Sequence, residues 1–160
     1  NNTGSETRVA DAIRWCIFEF EADIISLSLG GVQDQSASRE GPAVSATRQA
    51  IDAGIFVVAA AGNDGGVGDD GFVSAPGNVN LVITVGASDK NGDTWEKSSE
   101  GGRVDSDGNP RTYPHQKPEL TAPGVDILST GEDDQWYTSS GTSDATVFVA
   151  GALSLSLIHI

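Results

Sequence analysis

The chain has little that could cross-link it, anchor it in a bilayer or draw it to an anion. Cys16 is the single cysteine among 160 residues, which excludes an internal disulfide framework and a cysteine-based zinc cluster. It falls on the apolar face of a predicted helix and reads as a small core residue. No run of about 18 or more apolar residues exists to span a membrane, and no signal-like stretch follows Asn1. Basic side chains are scarce: 9 Lys and Arg stand against 23 Asp and Glu, for a formal net charge of −14. Such a surface repels nucleic acid and anionic membranes, so both are disfavoured as partners. The acidic residues are spread along the chain rather than gathered in a tail. That suits a soluble acidic protein, or one adapted to high salt, where counterions screen the self-repulsion. Histidine is scarce too: only His115 and His159 are present.

What is present alternates between helical and extended patterns. Val9, Ile13, Cys16, Ile17 and Phe20 recur at helical spacing and predict a helix over 3–21, with Thr3 and Glu6 fitting a capping box. "ADIISLSLGG" predicts a strand stopped by Gly30-Gly31, and residues 32–40 a polar loop. A second helix is expected at 42–53, with Pro42 at its first position and Gly54 at its stop. "GIFVVAAAG" and "LVITVGAS" are nearly all apolar, as strands are when helices cover both faces. Residues 89–118 read as loops, "VDILST" as a short strand, and 142 to about 155 as a last helix. The alternation implies a right-handed parallel crossover and an α/β fold: three layers, with a mainly parallel central sheet flanked by helices.

Three stretches could carry chemistry, and each has a plainer alternative. In "GTSDATVFVAG", Gly141 allows a tight turn and Thr142 or Ser143 can cap the helix. The free N–H groups of the first turn favour negative charge beside them, which would also help an oxyanion formed next to Ser143. "VVAAAGNDGG" ends in Gly62-Asn63, where small side chains leave room for a ligand and Asn63 offers an amide donor. The same residues are ordinary turn chemistry. "SLSLGG" is a strand end whose backbone could pair with an extended peptide, or simply a strand entering a turn. "GVGDDG" at 66–71 matches a dinucleotide-binding pattern but neither leaves a strand directly nor opens a helix, so it is set aside. "DSDGN" at 105–109 lacks the spacing and closing Glu of a calcium loop and reads as a polar turn.

Read together, "ADIISLSLGG", "GIFVVAAAGNDG", "KPELTAPGVDILST" and "SSGTSDATVFVAG" stand in the order and rough spacing of the subtilisin-like serine proteases. The resemblance covers about residues 8–154. It implies that Ser143 is the nucleophile and Asn63 the oxyanion-hole side chain, acting with the Ser143 backbone N–H. It implies that Ser28, Leu29 and Gly30 pair with the substrate backbone, and that Ala60 and Gly62 form the opposite wall of the specificity pocket. Thr121-Ala122-Pro123-Gly124 matches a structural turn with no chemistry assigned. The implied function is a serine endopeptidase acting on polypeptides, extracellular by resemblance. No cofactor is required for the chemistry; structural calcium is compatible but assignable to no residue.

Departures accompany the likeness. Asp144 stands where the family has Met or another neutral residue, Val147 where it has Pro, and Phe148 where it often has His. Asp144 suits the helix dipole but places charge near the nucleophile. The family's Asp and His blocks, expected ahead of the oxyanion Asn, do not occur before Asn63. His115 reads as a solvated loop residue. The expectation is therefore a chain lacking its amino-terminal part, with residues 1–154 the remainder of a peptidase domain, inactive by itself because a serine without its base loses almost all activation. "LSLIHI" at 155–160 matches the codons CTG TCT CTT ATA CAC ATC, which resemble a transposon adapter, so it is expected to be read-through and His159 to carry no role. The competing reading is a non-catalytic subtilase-like binding or assembly module.

Overall fold

A computed structural model describes residues 3–31, 40–66, 72–101, 109 and 116–159. His115, residues 32–39 of the expected polar loop, the pattern beyond Gly66 and residues 105–108 lie outside the described residues. Helix α1 (Thr3–Phe18) is followed by β1 (Ile24–Leu27), α2 (Pro42–Asp52), β2 (Phe56–Ala60) and β3 (Ile83–Ser88). Then come β4 (Leu120–Pro123), β5 (Ile127–Thr130), a 3₁₀ turn at Glu132–Asp134, β6 (Trp136–Ser139) and α3 (Thr142–Leu157).

The four strands β1-β2-β3-β4 form one sheet in that order, every neighbouring pair parallel. Ile24 pairs with Phe56, Val58 with Ile83, and Val85 with Leu120. Side chains alternate across the sheet. Ile25, Leu27, Val57 and Ala59 join Ala10, Ile13, Ile17, Val44, Ala46 and Ala50 of α1 and α2 in one core. Val58, Val85, Ala87 and Ala122 meet Ala145 of α3 in the other. Both faces are covered, which is why β2 is apolar at every position. Ile13 is 2% exposed, and burial of such a side chain contributes about 1.5–3 kcal/mol.

Several boundaries differ from expectation. Helix α1 stops at Phe18 rather than 21 because Glu21 takes φ 52°, a left-handed conformation that ends helical repetition and turns the chain toward β1. Thr121–Pro123 of the expected structural turn Thr121-Ala122-Pro123-Gly124 belong to strand β4, which completes the central sheet; Pro123 is accepted there because β4 is an edge. Strand β6, not foreseen, pairs antiparallel with β5 in a separate hairpin. Within 89–118, Asp89 closes a tight turn by accepting the backbone N–H groups of Asn91 and Asp93 at 2.8 and 3.0 Å. The Asn91 N–H bond foremost holds the Asp89 carboxyl below its ordinary pKa. Helix α3 runs to Leu157, into the 155–160 segment. No helix among the described residues is long and apolar enough to cross a membrane.

Candidate active site

In a parallel sheet, ligands gather beyond the carboxyl ends of the strands. Here β1 ends into Ser28–Gly30 and β2 into Ala61–Asn63, and the first turn of α3 is hydrogen-bonded to both. Leu29, Gly30, Ala60, Gly62, Asn63 and Ser143 line one cleft of about 210 Å³. Six of the seven residues singled out from the sequence thus share one cavity. The seventh, Ser28, sits beside it: its Oγ donates to the Ser143 carbonyl at 3.0 Å, and Ser143 Oγ donates to the Ser28 carbonyl at 3.3 Å. These reciprocal contacts pin the first turn of α3 to the end of β1. The Ser143 bond is long and exposed, so the hydroxyl is held weakly and can turn to another acceptor.

Asn63 is fixed by its neighbour in space, Thr142. The Thr142 backbone N–H and Oγ1 both donate to Asn63 Oδ1, at 2.9 and 3.0 Å. The oxygen end of the amide is therefore committed to α3, and Nδ2 is left as a donor beside Ser143. Thr142 Oγ1 also accepts the Gly62 N–H at 3.1 Å, locking the backbone that carries Asn63. This corrects the capping expectation. Gly141 is the N-cap with no side-chain cap, and the Thr142 hydroxyl turns outward to the β2 loop instead. The Ser143 N–H lies in the first helical turn, where N–H groups have no intrahelical acceptor.

Two glycines are required by close approach. Gly62 has φ 113°, and a Cβ there would meet Ser74 Oγ at 2.6 Å and Ser99 Oγ at 2.8 Å. A Cβ on Gly30 would meet Ser74 Cβ at 2.6 Å. Ser74 thus packs directly against both loops and, with Asp64 and Thr142, completes the cleft lining. None of these three was assigned a site role from sequence. Ser74 is brought in by bonds no local pattern reveals: its N–H donates to the Ala61 carbonyl at 2.7 Å, and neighbouring Ala75 pairs with Gly31.

Asp144 does not line the cleft. Its Oδ1 accepts from Ser139 Oγ at 2.7 Å, which directs the carboxylate toward the β5–β6 hairpin. Ser143 and His159 are 16 residues apart along α3 and its end, about 24 Å at 1.5 Å per residue. His159 is therefore out of reach as a base. Among the described residues no group of three or more His, Cys, Asp or Glu could hold a metal ion.

The sequence profile described as "Subtilase family" (Peptidase_S8) matches residues 1–158. Serine protease AprX of Bacillus subtilis (strain 168) is 36% identical over 180 residues, covering 98% of this chain and 40% of that protein. The intracellular serine protease of Paenibacillus polymyxa is 41% identical over 139 residues, covering 86% of this chain and 36% of its own length. Among solved structures, the patellamide maturation protease PatA superposes with a TM-score of 0.75 at 29% identity, covering 94% of this chain and 49% of its own. The prenylagaramide maturation protease PagA gives 0.74 at 28%, covering 96% and 51%. The chain spans about half, or less, of the length of the relatives it matches.

Proposed function

Because the chain belongs to the subtilase family, we propose that it is part of a serine endopeptidase in which Ser143 attacks the substrate carbonyl. The observation that carries this reading is the clamped amide of Asn63. With Oδ1 held by Thr142, Nδ2 remains as a donor at the cleft that Ser143 also lines, where charge would develop during attack. Substrate lies extended along Ser28–Gly30, with one side chain in the cleft against Ala60 and Gly62. Ser143 Oγ bonds to the carbonyl carbon and passes its proton to an imidazole. Asn63 Nδ2 and the Ser143 N–H stabilise the tetrahedral oxyanion. The imidazolium then protonates the departing amine, leaving an acyl-enzyme that water hydrolyses.

The imidazole and its orienting carboxylate are supplied from outside residues 1–160, so these residues alone do not turn over peptide. Trp15, Phe18 and Phe20 at the α1 end, and Phe148, Leu155 and Ile158 along α3 on the other face of the sheet, are at least half exposed.

Asn63→Ala in the complete protein is expected to lower kcat by about 10²–10³, a magnitude that belongs to the equivalent donor of subtilisin itself and is carried over by family membership. Turnover within twofold of the parent would remove Asn63 from the oxyanion hole. A fluorophosphonate that labels Ser143 supports an activated nucleophile over a non-catalytic module.

The substrate is a polypeptide, and the proposed address is extracellular. The charge of −14 is read as an adaptation to salt. Raising KCl from dilute buffer to molar concentration should then raise Tm, with an equal osmolality of sorbitol as control. A Tm that falls with KCl would contradict the adaptation.

A further inference from the structure

Away from the cleft, one pair of residues carries a reactivity of its own. Asn91-Gly92 is the single Asn-Gly step in the chain; every other asparagine precedes Asn, Thr, Asp, Val, Leu or Pro. An asparagine amide is lost when the following backbone nitrogen attacks its Cγ, and glycine alone leaves that nitrogen unshielded by a side chain. Asn91 and Gly92 are both exposed, at the tip of a short hairpin bridged by Ser88 and Thr94. A Cβ on Gly92 would meet nothing within 4 Å, so no neighbour blocks the approach. What restrains the pair is Asp89. Its Oδ1 accepts the Asn91 N–H at 2.8 Å, its Oδ2 accepts from Asn91 Nδ2 at 3.1 Å, and its backbone carbonyl accepts the Gly92 N–H at 3.1 Å. The amide that would leave and the nitrogen that would attack are both tied to this residue.

We propose that Asn91 is a site of spontaneous deamidation and that Asp89 sets its rate. The Gly92 nitrogen gives its proton to solvent base and bonds to Asn91 Cγ. The Cγ–Nδ2 bond breaks, and Nδ2 takes a proton from water and leaves as ammonia. Water then opens the cyclic imide at either carbonyl, giving aspartate or isoaspartate. Water is the sole co-reactant, and nothing is oxidised or reduced. The attack needs the Gly92 N–H released and the Asn91 side chain turned toward it, so the reaction waits on local opening of the turn. The product favours further opening. A carboxylate at position 91 faces that of Asp89, where an amide donor had closed the turn.

The inference does not depend on the peptidase reading. The test uses the complete protein carrying Ser143→Ala, which removes self-digestion, kept in mildly alkaline buffer and sampled by peptide mapping with mass detection. Asn91 is expected to become aspartate and isoaspartate ahead of Asn63, Asn78 and Asn80. Asp89→Ala should speed that conversion by about tenfold, the worth of one hydrogen bond to a charged acceptor. The same protein unfolded in urea supplies the unguarded rate whether or not Asp89→Ala keeps its fold, and should match or exceed that of the variant. Conversion of Asn63 before Asn91, or an Asn91 rate equal in folded and urea-unfolded protein, overturns the proposal. An Asn91 rate that rises in urea but not in Asp89→Ala overturns the role of Asp89.

Discussion

Replacing Ser143 by Ala in the complete protein is expected to lower peptide turnover by about 10⁶-fold, the scale known for the nucleophile of subtilisin itself and carried over by family membership. The fold should not register the change. Ser143 Oγ makes one long contact, to the exposed Ser28 carbonyl at 3.3 Å. Alanine is the better helix former, and the cap is Gly141 rather than the serine hydroxyl. The tie between α3 and β1 survives, because Ser28 Oγ reaches the Ser143 backbone carbonyl, which alanine keeps. The measurement pairs kcat with Tm. A variant that loses turnover but keeps Tm within a degree or two isolates chemistry from folding. A variant that still cleaves at the parent rate would end the assignment of Ser143.

The second large effect concerns stability and lies at the opposite end of β3. The Lys117 side chain is fully buried, at 0% exposure, and pairs with Glu119 Oε1 at 2.7 Å; the Glu119 side chain is 25% exposed. Lys117 Nζ also donates to the Val82 carbonyl. Glu119 Oε2 accepts the Thr84 N–H at 2.7 Å, and the Glu119 N–H donates to the Thr84 carbonyl at 3.0 Å. This network ties the entry of β4 to the entry of β3. Removing one member strands a charge that water cannot fully reach. Glu119→Leu, which leaves the ammonium buried, is expected to cost about 3 kcal/mol in urea unfolding, the low end for a broken buried pair because Glu119 is partly solvated. The double variant Lys117→Met with Glu119→Leu should recover much of that loss, since neither charge remains. A double variant as unstable as the sum of the single ones would show that the two charges do not act as a pair.

Most of the fold was legible because its signals are local. The helical spacing of Val9, Ile13 and Ile17 and the Pro42–Gly54 punctuation correspond to α1 and α2, and the apolar runs to β1, β2 and β3. Strand β4 escaped because Leu120–Pro123 is short, ends in proline and lies at an edge, so its composition is that of a turn. Strand β6 escaped because all four of its residues are exposed and no alternation of burial marks it. Asp64 and Ser74 escaped for a different reason. A serine in a loop has no distinguishing pattern, and Ser74 becomes a wall only where Gly30 and Gly62 come to rest on it.

The sequence by itself determined the layer architecture, the family and the identity of Ser143 and Asn63 as candidates. Period-two and period-3.6 burial are properties of neighbours along the chain, and the motif order is a property of the chain alone. Only the tertiary structure decided which end of the Asn63 amide is held by Thr142, and that Thr142 is its clamp rather than a helix cap. It alone placed Asp144 toward Ser139 and away from the cleft, and Asp64 within it. Apart from the Ser139–Asp144 bond, which spans five residues, these rest on hydrogen bonds or close contacts between segments up to 80 residues apart. Such contacts depend on how the sheet brings its strand ends together, which no local pattern encodes.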